Sequence, residues 1–184
     1  MNEPLDAGAI HELLVDLDAE LAARGARGEI FLVDGAAIAL AYDTRRATRD
    51  LDAVFAPTDV VRDAARTVGM RHNLVEGWLN DAVKGFLPGR DPDSSRYYEG
   101  PALTVDVGSA RYLLAMKLFA SRVEYDADDI ALLYRQLGFT TVAQGLDLVS
   151  AAYEGRPIAP KVAYLLEEIV RSLPPADTDI SAPS

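Results

Sequence analysis

Two aspartates separated by a single residue, Asp50 and Asp52, are the side chains whose types and spacing best suit chemistry in this sequence. The apolar segment over residues 51–55 predicts a strand, and residues two apart in a strand project from the same face. Adjacent carboxylates repel each other unless a cation lies between them, and Mg²⁺ commonly binds one or two carboxylates together with substrate phosphates. The pair is therefore a candidate magnesium site. The alternative is a solvated pair that binds the basic residues just before it, which are Arg45, Arg46 and Arg49.

A glycine turn precedes the two aspartates and favours the magnesium interpretation. Residues 29–33 predict a short strand, Gly35 opens a helix over residues 36–41, and a loop over residues 43–48 leads to the second strand. The N–H groups at a helix N-terminus form an anion site, and glycine lets the backbone approach a phosphate closely. The glycine turn upstream therefore shifts the balance from a solvated pair of aspartates to a magnesium site.

The run Val-Asp-Gly-Ala-Ala-Ile-Ala-Leu-Ala-Tyr, followed by Arg-Arg-Ala-Thr-Arg-Asp-Leu-Asp, resembles the same region of the DNA polymerase beta-like nucleotidyltransferases. It is similar in particular to the small bacterial branch that includes the AbiEii and MenT toxins. The resemblance extends over residues 6–137. One position departs from the pattern, because the second turn residue, normally Gly or Ser, is Ala36. A hydroxyl that could contact a phosphate is therefore missing.

The resemblance implies three groups of site residues. The metal-binding group is Asp50, Asp52 and Asp106, the nucleotide-binding group is Gly35, Ala36, Arg46 and Thr48, and the catalytic group is Asp52, Lys117 and Asp129. Two of these positions have alternatives. Asp106 is either a third carboxylate or an exposed residue of a half-buried strand. Lys117, amid apolar neighbours, either reaches the surface or is directed at an anion, and the resemblance favours a nucleotide phosphate.

The activity implied by the resemblance is Mg²⁺-dependent transfer of a nucleotide from a nucleoside triphosphate to the 3′ end of tRNA, with release of pyrophosphate. Such an enzyme would block aminoacylation, and a cognate antitoxin would restrain it. Two alternatives remain open. In the first alternative, the transferase modifies a protein hydroxyl instead of tRNA. In the second, the chain is a degenerate module that binds a nucleotide or a partner without catalysis, and the alanine at position 36 would mark this loss.

The composition limits the classes of function. The 184 residues carry 29 acidic and 18 basic side chains, a formal net charge of −11, which counts against broad non-specific binding of nucleic acid and mildly favours a protein acceptor. The chain has no cysteine and two histidines, so a thiolate metal site is excluded. The sequence shows neither a signal-peptide pattern nor an apolar run of membrane-spanning length. We therefore expect a cytoplasmic protein without a membrane partner.

The alternation of strand and helix patterns predicts an α/β or α+β layer architecture. The resemblance implies the α+β form, with a small mixed sheet of the nucleotidyltransferase type, flanking helices and a C-terminal helical extension. Residues 1–138 would form the nucleotidyltransferase domain, residues 139–173 the helical extension and residues 174–184 a disordered tail. Helices are predicted over residues 6–24, 59–68, 109–121, 141–153 and 160–173, strands over residues 70–75 and 103–107, and a loop over residues 88–101. Asp6, Thr58, Ser109, Asp126 and either Thr140 or Thr141 are the predicted helix caps. Trp78 is either a packing anchor or part of a nucleotide pocket.

Overall fold

The computed structural model of the chain describes residues 4–120 and 123–173. It has the predicted α+β fold, with a small mixed sheet and flanking helices. The described chain divides into two compact units, between Leu113 and Leu114. Among the described residues, no helix combines the length and the apolar character needed to cross a membrane.

The first unit contains the sheet. In chain order its elements are β1 (Leu5–Asp6), α1 (Ala7–Ala23), β2 (Gly28–Leu32), α2 (Asp34–Ala41), β3 (Ala47–Thr48), β4 (Leu51–Ala56), α3 (Thr58–Arg71), β5 (Leu79–Asn80), a 3₁₀ helix (Ala82–Phe86), β6 (Ser95–Glu99), β7 (Leu103–Val107) and the start of α4 (Ala110–Ala120). Five strands form the main sheet in the order β5-β4-β2-β7-β6. Strands β4 and β6 run antiparallel to their neighbours β2 and β7, whereas the β2–β7 and β4–β5 pairs are parallel.

Alternating side chains give this sheet one buried face and one half-exposed face. On the buried face, Ile30 of β2 lies between Phe55 of β4 and Val105 of β7, and all three are at most 3% exposed. Helices α1, α2 and α3 pack against these strands. The half-exposed face includes Asp52 and Asp106, so the strand pattern itself places polar groups on the opposite side from the core.

Helix α1 follows the sequence prediction closely. The Asp6 carboxylate accepts a hydrogen bond from the Ala9 N–H at 2.8 Å, which confirms the predicted cap. The helix ends before Gly25, whose φ of 63° suits glycine. The predicted apolar stripe is buried, each side chain worth about 1.5–3 kcal/mol of burial energy, and its members are Ile10, Leu13, Leu14, Leu17 and Leu21.

Several predicted elements are wrong. The strand predicted over residues 70–75 is absent, because α3 continues to Arg71 and the next strand is Leu79–Asn80. The loop predicted over residues 88–101 contains β6, an edge strand of polar and aromatic residues without an apolar alternation. Thr58 does not cap α3, since its hydroxyl donates to the Phe55 carbonyl oxygen.

The second unit is helical. It contains the rest of α4, then α5 (Val123–Leu137), α6 (Val142–Ala152) and α7 (Lys161–Ser172). Thr141 caps α6 in a reciprocal pair with Gln144, which confirms that predicted cap. Asp126 lies inside α5 instead of capping it, so that prediction is wrong. The predicted end of the helix over residues 109–121, at Ser121, lies outside the described residues. The tail predicted over residues 174–184 also lies outside them.

Candidate functional site

Asp50 and Asp52 lie at the start of β4, although only Asp52 belongs to the strand. Asp50 occupies the bend before Leu51, so the prediction that both aspartates sit on the strand needs this correction. The strand alternates as predicted, because Leu51, Ala53 and Phe55 are at most 2% exposed while Asp52 is half-buried on the other face.

Asn80 is linked to both aspartates. β5 runs parallel to β4, and Asn80 is the register partner of Asp52, so their side chains share one face of the sheet. The Asn80 amide nitrogen donates to Asp50 Oδ2 at 3.3 Å, and its amide oxygen accepts from the Ala82 N–H at 3.2 Å. Asn80 thus turns the Asp50 carboxylate toward the strand that carries the partner of Asp52.

These contacts fit a hard cation. Carboxylate oxygens are the ligands that Mg²⁺ takes in proteins, and a ligating carboxylate is commonly oriented by a hydrogen bond from a neighbouring group. Asp50 has such a hydrogen bond from Asn80. Asn80 is not among the site residues predicted from the sequence, because its contact with Asp50 spans 30 residues and depends on the register between two strands. The only sequence signal was its place directly after the apolar Trp78 and Leu79.

Asp106 lies elsewhere on the same face of the sheet. Its register partner on β2 is Phe31, which in turn pairs with Val54 on β4. Asp106 is therefore two strands from β4, or roughly 10 Å at ordinary strand spacing. Its carboxylate accepts a hydrogen bond from Arg96 Nε at 2.6 Å. That hydrogen bond raises the pKa of the Arg96 guanidinium.

The glycine turn is shaped by Thr48. α2 begins at Asp34, which has a φ of 53°. A Cβ added at Gly35 would lie 2.9 Å from Thr48 Oγ1 and 3.3 Å from Thr48 Cβ. The Thr48 hydroxyl also donates to the Asp50 carbonyl oxygen at 2.9 Å. The lack of a side chain at Gly35 therefore allows Thr48 to approach closely. The Thr48 hydroxyl in turn holds the backbone just before Asp52 by its hydrogen bond to the Asp50 carbonyl oxygen.

The other two nucleotide-binding candidates differ in exposure. Ala36 is 1% exposed, so its methyl group packs into the core of the first unit. Arg46 is partly exposed and lies near Asp43, with 3.9 Å between Nε and Oδ2. Asp43 also accepts a hydrogen bond from Arg45 at 3.0 Å, and this hydrogen bond is the main reason that the pKa of Asp43 is lowered. Asp43 thus neutralises part of the positive charge of the loop that carries Arg45 and Arg46.

In the second unit, Lys117 is buried between two carboxylates. Its side chain is 5% exposed, and Nζ lies 2.8 Å from Asp126 Oδ1 and 2.9 Å from Asp129 Oδ2. The two aspartates are three residues apart on α5 and therefore share a face of that helix. A buried lysine needs such partners, since an unpaired buried charge is strongly destabilising. Asp128, between them, is exposed.

Comparison of the chain with protein-family models, with curated proteins and with solved structures finds no match. The interpretation therefore depends on the two groups of residues just described. In the first unit these are Asp50, Asp52 and Asn80, next to the contact between Gly35 and Thr48. In the second unit they are Lys117, Asp126 and Asp129.

Proposed function

We propose that the protein is a Mg²⁺-dependent nucleotidyltransferase that transfers a nucleotide from a nucleoside triphosphate to the 3′ end of tRNA, as the toxin of a toxin–antitoxin pair. One observation carries the proposal. Asp50 and Asp52 are two carboxylates at the start of β4, and Asn80 of β5 donates a hydrogen bond to the first and is the register partner of the second. The tRNA acceptor and the antitoxin come from the resemblance of the sequence to MenT-type toxins.

The proposed reaction is an in-line displacement. The acceptor hydroxyl attacks the α-phosphorus and loses its proton to water, a new phosphodiester bond forms, the bond to the β-phosphate breaks, and pyrophosphate leaves. When bound, Mg²⁺ would neutralise charge on the phosphates and align the acceptor oxygen. Asp50 and Asp52 would hold the ion, and the uncapped first turn of α2, which starts after Val33, offers N–H groups to a phosphate.

Lys117 and Asp129 take the roles that the resemblance implies. Lys117 has three N–H donors and no acceptor, which suits it to a triphosphate. Asp129 Oδ2 lies 2.9 Å from its Nζ, and Asp129 would orient either this ammonium group or the acceptor. Asp126, at 2.8 Å, shares the neutralisation of the buried charge and has no role on substrate in this proposal.

The test uses nucleoside triphosphates labelled at the α-phosphate, each incubated with the protein, Mg²⁺, total tRNA and cell protein. We expect one nucleotide to label tRNA, and the Asp52→Asn variant to abolish that label. The matched control is Asp59→Asn, which removes an aspartate that is 95% exposed on α3. Loss of label in both variants, or label that persists in Asp52→Asn, would contradict the assignment of Asp52.

Transfer to a protein hydroxyl is the second candidate. The observation that favours it is the formal net charge of −11, since an acidic surface repels a polyanionic tRNA. In the same experiment this activity would label a protein band and leave tRNA unlabelled. A degenerate binding module would give no label with any nucleotide while still binding one of them.

A further inference from the structure

The two-residue strand β1, close to the N-terminus, pairs with a loop of the candidate site. β1 and β3 form a two-stranded antiparallel sheet of their own, in which Leu5 lies opposite Thr48 and Asp6 lies opposite Ala47. β3 is part of the segment over residues 43–50, which we call the arginine loop because it carries three arginines. The pairing therefore connects the start of the chain to the loop that precedes Asp52.

The arginine loop is held at both ends by backbone hydrogen bonds. At its start the Asp43 N–H donates to the Ile38 carbonyl oxygen at 2.9 Å, and just after its end the Leu51 N–H donates to the Trp78 carbonyl oxygen at 2.6 Å. Between these two points, β3 is paired with β1. The middle of the loop thus takes its position from the N-terminal strand.

β1 is itself fixed by a side chain at each of its two positions. Leu5 is 7% exposed, so its side chain is removed from water, and the Asp6 carboxylate caps α1 through the Ala9 N–H at 2.8 Å. A ladder of two short strands is marginal without such support. The burial of Leu5 and the cap at Asp6 therefore keep β1 in place beside the loop.

Thr48 transmits the position of β1 to the site. Residues that lie directly opposite each other in an antiparallel pair project on the same side, with Cβ atoms about 4.5–5.5 Å apart, so Leu5 packs beside Thr48. The Thr48 hydroxyl donates to the Asp50 carbonyl oxygen at 2.9 Å, and the same oxygen would lie 2.9 Å from a Cβ at Gly35. A displacement of β1 would therefore reach the glycine turn and the backbone of Asp50.

We propose that β1 positions the arginine loop and that Leu5 is the positioning residue that anchors this strand. Leu5 has no contact with substrate in this proposal and acts through Thr48. With β1 in place, the loop holds Arg46 and the backbone of Asp50 in one arrangement. The effect on catalysis rests on the proposed function, whereas the effect on the loop does not.

Hydrogen exchange followed by mass spectrometry tests the effect on the loop without any substrate. Leu5→Ala should make the amides over residues 43–50 exchange roughly tenfold faster or more, because a truncated side chain lets β1 open locally. The matched control is Leu13→Ala, which makes the same change at a core position of α1 that is 3% exposed. This control should leave exchange over residues 43–50 as it is in the unmodified protein.

Nucleotide transfer tests the effect on the site. In Leu5→Ala, KM for the nucleotide and the Mg²⁺ concentration at half-maximal rate should each rise roughly tenfold, as for loss of a group that orients a ligand, while kcat falls less. Leu13→Ala should keep both constants when measured well below its unfolding temperature. Leu5→Met, which conserves the volume of the side chain, should restore both constants and slow exchange. Leu5→Val is used in place of Leu5→Ala if the latter does not fold.

The outcomes for β1 and for the transferase are separate. Exchange over residues 43–50 that is unchanged in Leu5→Ala, or equally fast in Leu13→Ala, would overturn the positioning role even in a protein that transfers nucleotides. Faster exchange with unchanged KM and unchanged Mg²⁺ dependence would overturn it as well. Faster exchange confined to Leu5→Ala, in a protein that labels nothing with Mg²⁺, would support the role of β1 in holding the loop and overturn the transferase.

Discussion

The amide of Asn80 donates a hydrogen bond to the carboxylate of Asp50, with 3.3 Å between Nδ2 and Oδ2. The same residue is the register partner of Asp52 across the parallel β4–β5 pair. The carboxylate of Asp50 is thus held by a residue on a different strand. The two-residue strand β5, at the edge of the sheet, thus contacts the acidic pair through a side chain as well as through its backbone pairing with β4.

We first predict that Asn80→Ala weakens Mg²⁺ binding. Loss of a group that orients a metal ligand typically costs roughly 10- to 100-fold in metal affinity or activity. The measurement is the Mg²⁺ concentration at half-maximal nucleotide transfer, which should rise, whereas the rate at saturating Mg²⁺ should fall less. Asn80→Ala also removes the acceptor for the Ala82 N–H, so its unfolding transition without metal must be shown to match that of the unmodified protein. Unchanged Mg²⁺ dependence would contradict the orienting role.

The second prediction concerns Gly35 and the neighbouring Thr48. Gly35→Ala should destabilise the first unit by about 1–3 kcal/mol, since the added methyl group overpacks against Thr48. Gly85→Ala is the matched control, because a Cβ there meets nothing within 4 Å. Urea unfolding of both variants gives the difference. In the Thr48→Ala background the cost of Gly35→Ala should shrink, and an undiminished cost would mean that Thr48 is not the cause.

The long amphipathic elements of this fold could be predicted from the sequence, and the short ones could not. The stripe of α1 and the alternation of β4 are strong periodic signals. β5 has only two residues, and β6 has polar residues at most positions. Both owe their strand structure to a neighbour in the sheet, β4 for one and β7 for the other. No local pattern can report a pairing of that kind.

The candidate site likewise has one part that could be predicted from the sequence and one part that could not. Asp50 and Asp52 are separated by one residue in the sequence, so their spacing was visible. The contact of Asn80 with Asp50 and that of Lys117 with Asp126 depend on tertiary packing. Asp126 was predicted to be a cap because the start of α5 could not be located from composition alone, and its burial beside Lys117 has no sequence signal.

The third prediction concerns alkaline pH. Burial raises the pKa of Tyr134 to about 12, from an ordinary value of 10.0, and the pKa of Tyr153 likewise to about 12. Their protons are bound more tightly in the folded chain, so this contribution to stability is present below about pH 10 and is lost as the pH rises toward 12. It is on the order of 1–3 kcal/mol for each phenol.

Urea unfolding between about pH 10 and pH 12 tests the sign of this change in stability. The free energy of unfolding should fall as the pH rises, and Tyr134→Phe should flatten the fall. The matched control is Tyr164→Phe, at a position that is 71% exposed, and this variant should keep the full slope. A slope that is the same in both variants would show that Tyr134 is not among the groups that titrate.

The fourth prediction concerns the buried charge of Lys117. Lys117→Met leaves two carboxylates, 10% and 16% exposed, without their ammonium partner. Removing one member of a buried ion pair costs about 3–5 kcal/mol, so the second unit should be strongly destabilised. Lys84→Met is the control, because Lys84 is 39% exposed beside Asp81 and a surface pair contributes about 0–1 kcal/mol. Similar losses in the two variants would contradict a buried pair.

The fifth prediction separates the two carboxylates that hold Lys117. Asp126→Asn and Asp129→Asn make the same chemical change at nearly the same distance from Nζ, 2.8 Å and 2.9 Å, so they should destabilise the chain to a similar extent. If Asp129 positions substrate groups as proposed, Asp129→Asn should lower nucleotide transfer by about 100-fold, the cost of displacing a positioned group by about 1 Å. Asp126→Asn should lower it much less.

The comparison of Asp126→Asn with Asp129→Asn needs kcat and KM for the nucleotide in both variants, measured well below their unfolding temperatures. A loss that is confined to Asp129→Asn cannot come from weaker pairing of Lys117, because Asp126→Asn weakens that pairing as well. Equal losses in the two variants would instead assign the effect to the position of the ammonium group. In that case Asp129 would have no role of its own, and Lys117 would be the residue in this unit that acts on the triphosphate.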